Sequence, residues 1–354
     1  MTKRQTTLLG CAALLVVSGL GAAAPARAAV THQVQPGESV QAAVDAAKPG
    51  DTIEIAAGTY TESVRITTSG LTLRGAGSRT VFKPSSSAAE AGSCAAAGNG
   101  ICVLGTEKQP VEDVQIRSLV LSGFEKNGIW AQRTDRLTVH QVTAENNGTW
   151  GIAQERSTRS VLRSNLVRGN GDAGIFVANT ISQEAGAIDT MGTVVSDNLM
   201  VDNRIGTTVR RVRNLTVQGN EITGNCAGAF LVGDETTPRA GALTVRFNRV
   251  HENNKHCDKT ARLPEIQGTG IVLTGTEDTV VEWNVIRGNV GTAPMSGGIV
   301  LFKSIVGAAG TDNVIRNNVV LGNGAADLAN RDTLGTGNRF AGNMCQSSEP
   351  AGLC

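Results

Sequence analysis

The chain has 354 residues, 40% hydrophobic and 18% charged, enough for one large domain or two ordinary ones with a sizeable core. A formal net charge of +1 argues against a nucleic-acid surface or a basic membrane patch. Aromatics make up only 3%, so the core must be built from Val, Ile, Leu and Ala rather than from rings.

In chain order, residues 1–28 read as a signal peptide. Lys3 and Arg4 give a positive start, an apolar run follows from Leu8 to Leu20, and Ala26-Arg27-Ala28 has the small-residue form of a cleavage site. The run is short for a membrane span, so no membrane insertion is expected after cleavage. Residues 29–50 form a lead-in. Within it Ser39 to Ala47 reads as an amphipathic helix, with Val40, Ala43, Val44 and Ala47 on one face and Ser39 as N-cap.

Residues 51–340 carry a repeat. A segment Asn-x-apolar with a second Asn five places on recurs at Asn165/Asn170, Asn198/Asn203, Asn220/Asn225, Asn248/Asn253, Asn284/Asn289, Asn318/Asn323 and Asn338/Asn343, with a degenerate copy at Gln141/Asn146. After most second Asn positions comes Gly and an apolar strand, as at Gly128-Ile129, Gly151-Ile152 and Gly174-Ile175. Three short alternating runs per repeat, such as Leu215 to Val217, Ile222 and Ala229 to Leu231, are too short for helices. A unit of roughly 20–25 residues with three short strands is one coil of a parallel β-helix, which buries its apolar side only by stacking. The fold class expected is therefore all-β, a right-handed parallel β-helix with an N-terminal capping helix and an asparagine turn ladder. The repeated Asn residues are scaffold, bonding from coil to coil. Leucine-rich repeats would need a helical segment, and propeller blades a longer period.

Residues 341–354 form a tail. Six cysteines lie beyond the leader: Cys94, Cys102, Cys226, Cys257, Cys345 and Cys354. An even number in an exported chain reads as disulfides, although sequence alone does not choose among connectivities. Proximity favours Cys94–Cys102 and Cys345–Cys354, and the repeat register supports Cys226–Cys257.

The stretch from Pro36-Gly37-Glu38-Ser39-Val40 through Gly50-Asp51-Thr52-Ile53 to Gly58-Thr59-Tyr60 resembles the start of secreted pectin-lyase-like β-helix proteins. The Asn-x-Ile and Gly-Ile-x-Leu repeats are similar to the carbohydrate-binding and sugar-hydrolase type, which nitrous-oxide-reductase accessory β-helix proteins also carry. The resemblance implies a fold, but one that hosts many activities. It implies that the Gly-Ile strand borders a substrate groove. That strand's outward column includes Trp130, Phe176 and Phe230, a stacking surface for sugar rings unless inserted loops cover it.

The loops beside this face hold the candidate catalytic residues Arg210, Asp172, Asp234 and Glu235. Arg211 and His256 join Trp130, Phe176 and Phe230 as candidate substrate-binding residues. Cations would neutralise a uronate carboxylate or act as base, Ca²⁺ on carboxylates would serve the same end, and paired carboxylates would serve a glycosidase. No Asn-Thr-Asp with Gly-His-Gly, no Asp-Pro-His-Glu and no Arg-x-Pro-x-x-Arg occurs, so no family catalytic residue carries over. The expected protein is a secreted monomer that binds, and cleaves as a lyase or hydrolase, an extracellular acidic polysaccharide. A non-catalytic carbohydrate-binding or structural module is the alternative.

Overall fold

The computed structural model describes residue 2, residues 27–261 and residues 263–354. The leader expected over residues 1–28 lies, apart from Thr2, Arg27 and Ala28, outside the described residues. Among the described residues no helix is long and apolar enough to cross a membrane.

Three long sheets run the length of the molecule, and their strands pair in parallel. One coil is Val161–Arg163 in the first sheet, Leu166–Arg168 in the second and Ala173–Ala178 in the third, after which the chain re-enters the first sheet at Ile188–Ser196. Alternation turns Ile129, Ile152, Ile175, Ile271 and Ile299 inward, where they join one continuous core. The Gly before each such Ile has a packing reason. A Cβ on Gly151 would stand 2.2 Å from Val167 Cγ1 and 2.8 Å from the Gly174 carbonyl. Only hydrogen fits where the second sheet's side chains meet the third sheet's backbone.

The five-residue Asn spacing is a three-residue strand plus its two corners. The first Asn of each pair precedes the second-sheet strand and the second follows it, so there are two ladders. In one, each Nδ2 donates to the Oδ1 of the next coil, as in Asn165 to Asn198 and Asn198 to Asn220, both at 2.9 Å. In the other, Asn170 donates to Asn203 at 2.9 Å and Asn203 to Asn225 at 3.2 Å. The second ladder ends on Asp327, whose Oδ1 accepts from Asn323 Nδ2 at 3.0 Å. A terminal position needs only an acceptor, so a carboxylate suffices there.

Two sequence readings of the ladder are corrected. Gln141 and Asn146 are not its degenerate copy. They sit at positive φ one residue ahead of the ladder positions, which are Val142 and Asn147. Asn338 and Asn343 bracket the first-sheet strand Arg339–Ala341 instead of a second-sheet strand, so Asn338 belongs to a further ladder with Asn313. Equal spacing arises because three-residue strands occur in both sheets.

The capping helix α1 spans Val40–Ala46, with the Ser39 hydroxyl accepting from the Ala42 N–H and Val40 and Val44 buried. The Glu62 carboxylate also accepts the Val40 and Gln41 N–H groups, at 2.8 and 3.1 Å. The helix covers the open end of the first coil, where bare strand edges would invite pairing with other chains. A first-sheet strand, Thr31–Val34, already precedes it and pairs with Thr52–Ile55, so the lead-in is woven into the solenoid.

Asp51 is buried beneath this end and accepts from Arg27, from the Lys48 and Val30 N–H groups and from His32. In the uncleaved chain the Arg27 bond foremost, then the two N–H groups, hold its carboxyl well below the usual carboxylate range; cleavage after Ala28 would remove Arg27 and leave the Lys48 and Val30 N–H groups and His32 to hold it. A lowered folded-state pKa stabilises above the unfolded-state value and is lost as pH falls through the folded one. Asp51→Asn is therefore expected to lower the thermal midpoint at neutral pH, with the gap to wild type narrowing below about pH 4. A gap that persists unchanged in acid would contradict this. The three disulfides are Cys94–Cys102, Cys226–Cys257 and Cys345–Cys354, and such bridges fit an oxidising compartment. The last closes the tail beside Phe340 and Leu353, which pack on the final coil.

Candidate functional site

The outward face of the third sheet does not meet water along its length. Phe176 and Phe230 point away from the solenoid core, yet they are only 5% and 2% exposed. With Ala153, Ile205, Val272, Met295 and Val300 they form a second hydrophobic cluster, onto which Ile181, Leu263 and Ile266 fold from inserted loops. Of the two arrangements the sequence left open, the one with inserted loops over this face is found. Burial of these rings beneath the loops outweighs their exposure, because a continuous apolar stripe of this size is costly to leave in water.

What remains open is a groove of about 510 Å³ along the same face. Its apolar floor includes Phe176, Phe230, Val272 and Phe302, and Trp150 stands at one side. The Trp150 ring stacks on Phe176 at 4.2 Å and 11° and on Trp130 at 6.1 Å and 22°. The Trp150 indole N–H donates to Asp172 Oδ2 at 2.9 Å, which fixes that carboxylate at the rim. Arg210 ends the strand Ile205–Arg210, and Lys303 follows the strand Gly297–Phe302; both line the groove.

Arg211 and Asp234 also line it, but as a pair. The Arg211 Nε donates to Asp234 Oδ2, and its Nη1 donates to the Gln183 carbonyl. Both residues are almost fully buried. The pair clamps the loop over residues 180–184 to the end of the strand Ala227–Val232, and so builds a groove wall.

The site therefore gathers Asp172, Phe176, Arg210, Arg211, Phe230 and Asp234. Trp130 is half-buried and reaches the groove only through Trp150. Glu235 is exposed outside the lining, as is His256, whose Nε2 lies 3.5 Å from Asp258. Trp150, Ile181, Leu263 and Met295 were not singled out by sequence reasoning as binding residues. Trp150 carried one signal, since it is a rare aromatic directly ahead of a Gly-Ile strand. The loop residues carried none, because loop direction follows no period. Among the described residues no three His, Cys, Asp or Glu side chains converge as a metal site.

The arrangement offers two cations and an oriented carboxylate above an apolar, partly aromatic floor. Guanidinium and ammonium groups pair with carboxylates, and aromatic faces take the C–H faces of sugar rings.

A sequence model described as the right handed beta helix region matches residues 91–242. The fold of the chain is a right-handed parallel β-helix. This β-helix superposes on the A-module of the mannuronan C-5 epimerase AlgE4 from Azotobacter vinelandii, with a TM-score of 0.59 and 16% identity, covering 88% of this chain and 93% of that one. It superposes on DFA-IIIase from Arthrobacter chlorophenolicus A6, with a TM-score of 0.61 and 15% identity, covering 87% and 79%. The periplasmic alginate epimerase AlgG is similar at a TM-score of 0.55 and 14% identity, covering 85% and 70%. At these identities the likeness of the β-helix is one of fold. No curated protein matches it in sequence.

Proposed function

We propose that this β-helix is an exported protein that binds an acidic polysaccharide in the third-sheet groove and cleaves it, by lyase or hydrolase chemistry. The observation that carries the reading is the groove itself, where Arg210 and Lys303 share an apolar, aromatic-bordered channel with Asp172. A uronate carboxylate meets the cations while its ring lies on the floor. In a lyase, a base removes the C5 proton, the C4–O bond breaks and a C4=C5 double bond forms. Arg210 neutralises the carboxylate that takes up charge, Lys303 in its neutral amine form takes the C5 proton as the base, and the leaving oxygen takes up a proton from water. In a hydrolase, Asp172 is the group to protonate the leaving oxygen. Two of the superposed structures, named for mannuronan and for alginate, belong to proteins whose named substrates are polyuronates.

The test is a panel of polyuronates and neutral glycans, read for unsaturated uronate and for new reducing ends. Unsaturated product marks a lyase; reducing ends without it mark a hydrolase. Arg210→Ala and Asp172→Asn are expected to cut the active reaction by about 100-fold or more. Undiminished turnover in both would remove the groove as the active site. The second reading, a module that binds without turnover, is favoured by the engagement of Asp234 with Arg211, which withdraws one carboxylate from a hydrolytic pair. Saturable binding with no product from any glycan would establish it.

A further inference from the structure

The corner between the first and second sheets passes through the left-handed region once per coil. Successive occupants include Asp197, Gly219, Phe247, Trp283, Asn317 and Gly342, at φ between 54° and 64°. Gly adopts this conformation without a Cβ, and Asp and Asn through short side chains that bond locally. A bulky ring does neither, and two stand here in adjacent coils. Phe247 and Trp283 are 59% and 53% exposed, so burial does not offset their backbone cost.

Their surroundings are ordered. Arg246 pairs in register with Glu282, and Glu282 with Arg316, so the rings that follow Arg246 and Glu282 are one strand spacing apart, about 5 Å at the backbone. The Arg246 guanidinium lies 5.6 Å from the Phe247 ring centre, with its Nε donating to Gln218 Oε1 at 3.0 Å. The Arg316 Nε donates to Glu282 Oε2 at 2.8 Å. The corners are tight, with no inserted loop to cover the rings: the next strands begin at Arg249 and Val285. The groove lies on a different sheet.

We propose that Phe247 and Trp283 form a second saccharide-binding site, taking consecutive sugar rings of a long polysaccharide face-on. A sugar ring pairs an apolar C–H face with a rim of hydroxyls. Here two apolar rings are bordered by a row of fixed donors and acceptors. The strand spacing is comparable with the length of one sugar unit in an extended chain. Mixed charge along the row gives no field to attract a nucleic acid, and the two rings make too small an apolar patch for a stable protein interface. The proposal shares with the groove reading the expectation of a polysaccharide, and the experiment separates the two.

The full exported chain is compared with Phe247→Asn/Trp283→Asn and with Arg210→Ala. Affinity electrophoresis and calorimetry use polygalacturonate, polymannuronate and a neutral β-1,4-xylan as probes. The corner variant is expected to melt at or above the wild-type temperature, since Asn suits the corner. It is also expected to lose affinity for at least one polymer by about tenfold or more. Unchanged binding to all three polymers, or no binding by the wild type, overturns the proposal. So does a wild-type dimer that becomes monomeric in the corner variant with no change in glycan affinity. If the corner variant loses binding and Arg210→Ala alters neither binding nor turnover, the corner site stands and the groove reading falls.

Discussion

Asn203→Leu is expected to cost roughly 3 kcal/mol or more of folding stability, measured by urea denaturation. Asn203 is fully buried in the ladder between the second and third sheets. Its Oδ1 accepts from the Asn170 N–H at 3.0 Å and the Asn170 Nδ2 at 2.9 Å. Its Nδ2 donates to Asn225 Oδ1 at 3.2 Å and to the Val167 carbonyl at 3.0 Å. Leucine fills the volume but leaves those groups short of partners where water cannot reach, and each such group costs about 1–3 kcal/mol. Asn203→Asp is expected to be as damaging, because it turns acceptors toward Asn225 Oδ1 and the Val167 carbonyl. A loss under about 1 kcal/mol for both would mean that the apolar stack alone holds the coils in register.

Asp234→Asn and Arg211→Met are each expected to destabilise the protein by about 3–5 kcal/mol, since either leaves its partner as a buried, uncompensated charge. The effect should not stay local. Arg211 also holds the Gln183 carbonyl, so losing it frees the loop that walls the groove. Proteolysis within residues 180–186 should rise in Arg211→Met before the solenoid unfolds. The double variant Arg211→Met/Asp234→Leu is expected to recover much of the stability, because an apolar pair carries no desolvation cost. If Asp234→Asn were neutral in stability yet abolished turnover, Asp234 would instead act on substrate.

Much of the solenoid was legible in sequence because it is periodic. Asn165, Asn170 and Gly174 recur because each coil must meet the same neighbour in the same way, so position along the chain maps to position in space. That logic failed at Gln141/Asn146 and Asn338/Asn343, where spacing matched but phase did not. A three-residue strand looks alike in two sheets, and only the hydrogen-bond partners tell them apart.

The groove was legible only in part. Strand alternation placed Phe176, Phe230 and Arg210 on one outward face, and all three line the groove. Alternation has no access to what folds over that face. Ile181, Leu263 and Met295 come from insertions without a period, and they make of this face a second core with a channel beside it. Arg211 and Asp234 looked like two independent loop charges, 23 residues apart in sequence.

By itself, then, the sequence determined the coil, most of its phase and the capping helix, because repeat spacing and side-chain alternation are local properties; the face of the groove was implied by the resemblance to pectin-lyase-like proteins. Tertiary structure decided which outward rings are covered, which charges pair, and which aromatics, Phe247 and Trp283, stay in water. Those outcomes depend on where non-repeating loops fold back, and on burial energies that no local pattern contains.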